Sequence, residues 1–137
     1  MYELRVKTTF DAAHYLRHYQ GKCSRLHGHT WTVEVSVAGT GVDRRGMLVD
    51  FLDLKGILRE ITGRFDHTLL NEIHPFNGET AKETNPTAEN LARLIFEELQ
   101  EKLKEIAPAV HPVSVQVWES ENSSVIYRQE DGREETR

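Results

Sequence analysis

The stretch from His27 to Val37 constrains the fold more than any other. Trp31, Val33, Val35 and Val37 alternate there with Thr32, Glu34 and Ser36. That period of two predicts a half-buried β-strand over about His29 to Ala38. A strand needs a sheet, and this one also decides where chemistry can sit. Side chains two residues apart point to the same face, so His27 and His29 project together from its start.

A second alternating stretch lies upstream. Tyr2, Leu4, Val6, Thr8 and Phe10 share one phase, and Glu3, Arg5, Lys7 and Thr9 the other. Between this strand and later ones the period changes. Leu54, Ile57, Leu58 and Ile61 are spaced for a helix, opened by Asp50 as a cap and Asp53 in its first turn, and ended by Gly63. Asn85-Pro86-Thr87 opens a second helix, with Asn85 or Thr87 as its cap. Its apolar stripe is Leu91, Ile95, Leu99, Leu103 and Ile106, and Pro108 and Pro112 stop it. Val113, Val115 and Val117 predict a third strand, and Val125 to Arg128 a fourth. The order strand, strand, helix, helix, strand, strand reads as α+β: a four-stranded antiparallel sheet with two helices packed on one face. Residues 1–129 form one domain in this reading, and 130–137, wholly polar or glycine, a frayed tail. An open sheet of four strands has edges that invite pairing between subunits.

The chain has 137 residues, a formal charge of −5 and a sequence pI near 5.8. An acidic balance argues against nucleic acid as a partner, because binders of phosphate backbones carry a basic face. No apolar run reaches membrane-spanning length. A lone cysteine, Cys23, cannot close an internal disulfide, and the N-terminus lacks the pattern of a signal peptide. The chain therefore reads as cytoplasmic.

His14 ends the first strand, and His27 and His29 begin the second. In an antiparallel hairpin those ends adjoin, so three imidazoles can converge. Three protein ligands with an open fourth position is the arrangement of catalytic zinc. Cys23 lies four residues before His27; it reads as a fourth ligand, as a catalytic thiol, since a nearby dication favours the thiolate, or as a small buried apolar group. Asp66 stands beside His67, a pairing that orients an imidazole and supports its charged form. Glu119 continues the phase of Val113, Val115 and Val117. An inward carboxylate costs free energy unless it is paired, and two side-by-side acceptors suit an amino-pyrimidine edge. His18, His74 and His111 have no partner pattern and read as surface residues.

Taken together and in order, Phe10-Asp11-Ala12-Ala13-His14, Cys23-x-x-x-His27-Gly28-His29, Asp50-Phe51, Asp66-His67, Asn85-Pro86-Thr87-Ala88-Glu89-Asn90 and Glu119 resemble the 6-pyruvoyltetrahydropterin synthase superfamily. The resemblance runs from Phe10 to about Arg128. It implies the tunnelling fold, in which subunit sheets join edge to edge into a barrel, homohexamers built as dimers of trimers, and an active site between subunits. It implies that His14, His27 and His29 bind Zn2+, that Cys23 with Asp66 and His67 moves protons, and that Glu119 holds a pterin ring. The three residues between Cys23 and His27 resemble the carboxy-forming members; animal pyruvoyl-forming members have a longer gap. The implied activity is that of a carbon–carbon lyase in queuosine biosynthesis. It would convert 7,8-dihydroneopterin triphosphate to 6-carboxy-5,6,7,8-tetrahydropterin and release acetaldehyde and triphosphate. Lys22 and Arg25 are the cations nearest Cys23 for an anionic tail. The alternatives are a pyruvoyl-forming enzyme on the same scaffold and a non-catalytic zinc- or pterin-binding module.

Overall fold

The computed structural model describes residues 1–130, and the frayed tail expected beyond them lies outside the described residues. The first two strands are longer than the alternation suggested. β1 (Tyr2–His14) and β2 (His27–Gly39) pair antiparallel without interruption from Tyr2 opposite Gly39 to His14 opposite His27. The extension exists because Ala12 and His14 keep the inward phase of Val6 and Phe10, and all four are buried.

β2 leads into the helix α1 (Phe51–Gly63). The Asp50 carboxylate accepts from the Leu52 amide at 2.8 Å, satisfying one of the amide groups that a helix start leaves unpaired. After α1 come a two-residue strand, β3 (Thr68–Leu69), and a single helical turn, α2 (Ala81–Thr84). The long helix α3 (Ala88–Ile106) follows, capped by Thr87, whose hydroxyl accepts from the Asn90 amide at 3.1 Å. β4 (His111–Ser120) and β5 (Ser123–Tyr127) complete the sheet in the order β3-β1-β2-β4-β5.

The α+β architecture is as expected, with two corrections. The sheet has five strands rather than four, and β3 runs parallel to β1 beside Ala12 and Ala13. A strand of two residues has no period to read. Besides the two long helices there is the one-turn α2, too short to carry an apolar stripe.

α1 and α3 lie on one face of the sheet. Leu54, Leu58 and Ile61 of α1 and Leu91, Ile95, Leu99 and Leu103 of α3 meet Trp31, Val33, Val35, Val115 and Val117, and all are buried. Full burial of each such side chain stabilises the fold by about 1.5–3 kcal/mol. The opposite face keeps the other phase, with Lys7, Asp11, Thr30 and Thr32 along its strands. The two phases of β1 thus separate two chemically different surfaces.

Candidate functional site

The antiparallel register brings His14 directly opposite His27, and His29 lies one strand step further on the same face. Ring centroids are 4.6 Å apart for His14 and His27, 4.8 Å for His27 and His29, and 5.2 Å for His14 and His29. Trp31 forms the floor, fully buried, with its ring edge-on to His14 and His29. One ligand atom from each histidine and one from Glu119 all lie within 4.8 Å of one another.

Two of the rings are oriented by main-chain carbonyls. His14 Nδ1 is 2.7 Å from Pro86 O, and His27 Nδ1 is 2.6 Å from Arg25 O. A carbonyl only accepts, so each Nδ1 carries hydrogen, and in the neutral ring Nε2 is left with a lone pair. Those two Nε2 atoms face each other at 3.0 Å. Two lone pairs at that distance repel unless a cation or a proton lies between them. The third ring adds a second sign. His29 Nε2 is 3.3 Å from Glu119 Oε1 but not aligned for a hydrogen bond, and it is buried without a partner. Burial pushes the pKa of both His14 and His29 below the ordinary histidine range, outweighing the opposing pull of the Glu119 charge. Neutral imidazoles with converging lone pairs beside a carboxylate fit a divalent metal ion of the zinc type.

Glu119 reaches this cluster from a bulge. Trp118 pairs with Ser124 and Ser120 with Ser123, which leaves Glu119 as an extra residue with no partner on β5. The β2–β4 ladder also stops at Thr32 and Trp118. Bulges commonly re-aim a side chain in this way.

Asp66 and His67 sit elsewhere, at the turn between α1 and β3. His67 Nδ1 is 3.0 Å from Asp66 Oδ2, and His67 has a φ of +60°. The Asp11 amide donates to Asp66 Oδ1 at 2.9 Å, and the His67 amide donates to Asp11 O at 2.6 Å. The Asp11 amide and the neighbouring His67 hold the Asp66 carboxyl below its usual range. Asp11, Asp66 and His67 form a second, exposed cluster. A shallow open cavity of about 440 Å³ on the sheet face is lined by Asp11, Thr30, His67 and the small residues Ala13 and Gly28.

The sequence matches the family described as 6-pyruvoyl tetrahydropterin synthase over residues 3–130. The chain belongs to this family. A 6-carboxy-5,6,7,8-tetrahydropterin synthase of Bacillus subtilis is 37% identical over 132 residues, covering 96% of this chain and 88% of the relative. One of Synechocystis is 35% identical over 132 residues, covering 93% of each. Among solved structures, the 6-pyruvoyl tetrahydropterin synthase of Caenorhabditis elegans superposes with a TM-score of 0.78 over 94% of this chain and 96% of its own, at 24% identity. The fold is therefore the tunnelling fold of pterin synthases.

Within this member of the family, the expected residues fall into three places. His14, His27, His29 and Glu119 come together; Asp66 and His67 form a pair at the turn between α1 and β3, beside Asp11 on the other phase of β1. Cys23 belongs to neither cluster. It lies half-buried in a single 3-10 turn, Lys22–Ser24, where its carbonyl accepts from the Leu16 amide at 2.8 Å. Lys22 and Arg25 beside it are exposed, as are His18, His74 and His111. Three contributors were not read from the sequence: the Pro86 and Arg25 carbonyls and Asp11. Main-chain carbonyls leave no mark in a sequence, and Asp11 was visible only as part of a motif.

Proposed function

We propose that the chain is a zinc-dependent 6-carboxy-5,6,7,8-tetrahydropterin synthase acting in the cytoplasm. It converts 7,8-dihydroneopterin triphosphate and water to 6-carboxy-5,6,7,8-tetrahydropterin, acetaldehyde and triphosphate, a step of queuosine biosynthesis. The observation that carries this reading is the facing pair of Nε2 atoms on His14 and His27, joined by the unpartnered Nε2 of His29. Such a trio fits a catalytic metal and little else. The names of the similar proteins supply the reaction.

In this reading His14, His27 and His29 hold Zn2+, which supplies Lewis acidity toward the hydroxyls of the substrate side chain. The Glu119 carboxylate accepts two N–H donors from the pterin edge and fixes the ring, so that the reacting carbons meet the acid–base groups. The Cys23 thiolate takes a proton from the side-chain carbon. His67, oriented by Asp66, gives and accepts protons as the partner group. Trp31 and the aliphatic core exclude water from the inner wall. Cys23 and the Asp66–His67 pair meet across a subunit boundary, each completing a site with the neighbouring copy. Two features favour such an assembly. The outer edge of β1 pairs only at Ala12 and Ala13 among the described residues, leaving its other main-chain groups free for a second sheet. Tyr2, Phe51 and Leu52 are exposed on the same subunit. A homohexamer of two trimers closes those edges.

The test is to incubate the zinc-loaded protein with 7,8-dihydroneopterin triphosphate and identify products by mass spectrometry, with acetaldehyde trapped as a hydrazone. Acetaldehyde and a 6-carboxy product in equal amounts are expected. A 6-pyruvoyl product without acetaldehyde would assign the other branch. Binding of the pterin without turnover would reduce the chain to a binding module.

A further inference from the structure

Past its end at His14, β1 has no neighbouring strand among the described residues, yet Tyr15, Leu16 and Arg17 are half-buried. Two asparagine side chains take the place of the missing strand. Asn71 accepts from the Tyr15 amide and donates to the Tyr15 carbonyl, both at 3.0 Å. Asn85 does the same for Arg17, accepting from its amide at 2.9 Å and donating to its carbonyl at 3.2 Å. Both asparagines are buried. The Arg17 guanidinium then reaches back, donating to Thr84 O at 3.1 Å and to Phe76 O at 2.7 Å. Asn85 precedes Pro86, which confines it to extended backbone, and it is extended here. That geometry presents the Pro86 carbonyl to His14 Nδ1 at 2.7 Å.

We propose that Asn85, locked to the Arg17 main chain, is a positioning residue for the metal: it holds the Pro86 carbonyl where it fixes the tautomer and ring angle of His14. This rests on the reading that His14, His27 and His29 hold zinc. The physical ground is that an imidazole ligand is set by the acceptor on its other nitrogen, and loss of such an outer partner weakens metal binding by about 10- to 100-fold. Asn71 provides the internal control. It makes the same two bonds to the same segment, but its own chain does not carry the carbonyl that meets His14.

The experiment measures zinc affinity of the full chain by competition with a chromophoric chelator, together with the visible spectrum of the cobalt-substituted protein and the unfolding temperature of the metal-free protein. Asn85→Ala and Asn71→Ala are expected to lower the unfolding temperature to a similar extent. Asn85→Ala alone is expected to weaken zinc by about 10- to 100-fold and to shift the cobalt bands. Equal zinc affinity in wild type and Asn85→Ala overturns the proposal, as does an equal loss in both variants, which would mean general loosening. Failure of the wild type to bind zinc would instead overturn the metal reading itself. Should Asn85→Ala not fold, Asn85→Asp keeps the size and the acceptor but loses the donor, and the same affinity and spectral comparison applies to it.

Discussion

The two histidine-containing clusters touch alternate phases of β1, through His14 in one and Asp11 in the other, and are opposites in solvation. His14 is fully buried, and its ring nitrogens face a carbonyl and another imidazole. The His67 side chain is 78% exposed and leans on a carboxylate that is itself 42% exposed. Burial favours neutral rings in the first cluster, which suits ligands that must offer lone pairs. Access to solvent suits the second, whose proposed role is to exchange protons. One pleat of β1 thus separates a buried cluster of imidazoles from an exposed acid–imidazole pair.

The sharpest way to break this comparison is to remove a ring from each side. His14→Ala should abolish turnover and weaken zinc by more than about 100-fold, beyond the cost of losing an outer partner alone. Metal content after dialysis checks it, and full zinc occupancy would show that His14 is not a ligand. Removing the groups proposed to move protons should act differently. Cys23→Ala and Asp66→Asn are expected to lower kcat by about 10²- to 10⁴-fold with zinc retained. Loss of metal in Cys23→Ala would make the sulfur a ligand and collapse the division of labour. Glu119→Gln tests the carboxylate of the buried cluster. It should raise the Kd for a pterin analogue by about 10- to 100-fold, the size of one charge-assisted hydrogen bond, while zinc stays bound. Unchanged pterin affinity would remove Glu119 from the pocket.

The smallest effect concerns pH. His14 and His29 have pKa values in the folded chain below the ordinary 6.5. The unfolded chain therefore binds more protons, and stability rises with pH across that window. The contribution is complete above about 6.5 and is lost as pH falls through the lower folded values. Thermal unfolding of the metal-free protein across that range should show a falling midpoint on acidification. His14→Phe should flatten the slope, and an unchanged slope would mean that other groups carry it.

Much of the site was legible because two periodicities intersect. The phase of Trp31 to Val37 put His27 and His29 on one side, and the end of the first alternating stretch put His14 nearby. Glu119 was legible by phase, though not the bulge that leaves it without a cross-strand partner, because a bulge is a property of two strands. Asn85 was read as one of two possible caps for α3. Thr87 takes the cap, and Asn85 turns to Arg17 instead. Both are short polar residues next to a proline, and only the three-dimensional position of Arg17 separates their roles. β3 escaped because two residues cannot show a period.

The φ of +60° at His67 has its own consequence. Left-handed backbone admits asparagine, aspartate, glycine and histidine and strains β-branched residues. Position 67 can therefore trade its ring for an amide or a hydrogen without refolding the turn. A chain with asparagine there would keep the turn that leads into β3. On the proposed role of His67 in proton transfer, such a sequence would keep its fold and lose turnover. On that proposal, position 67 is where activity can vanish and leave the shape of the molecule untouched.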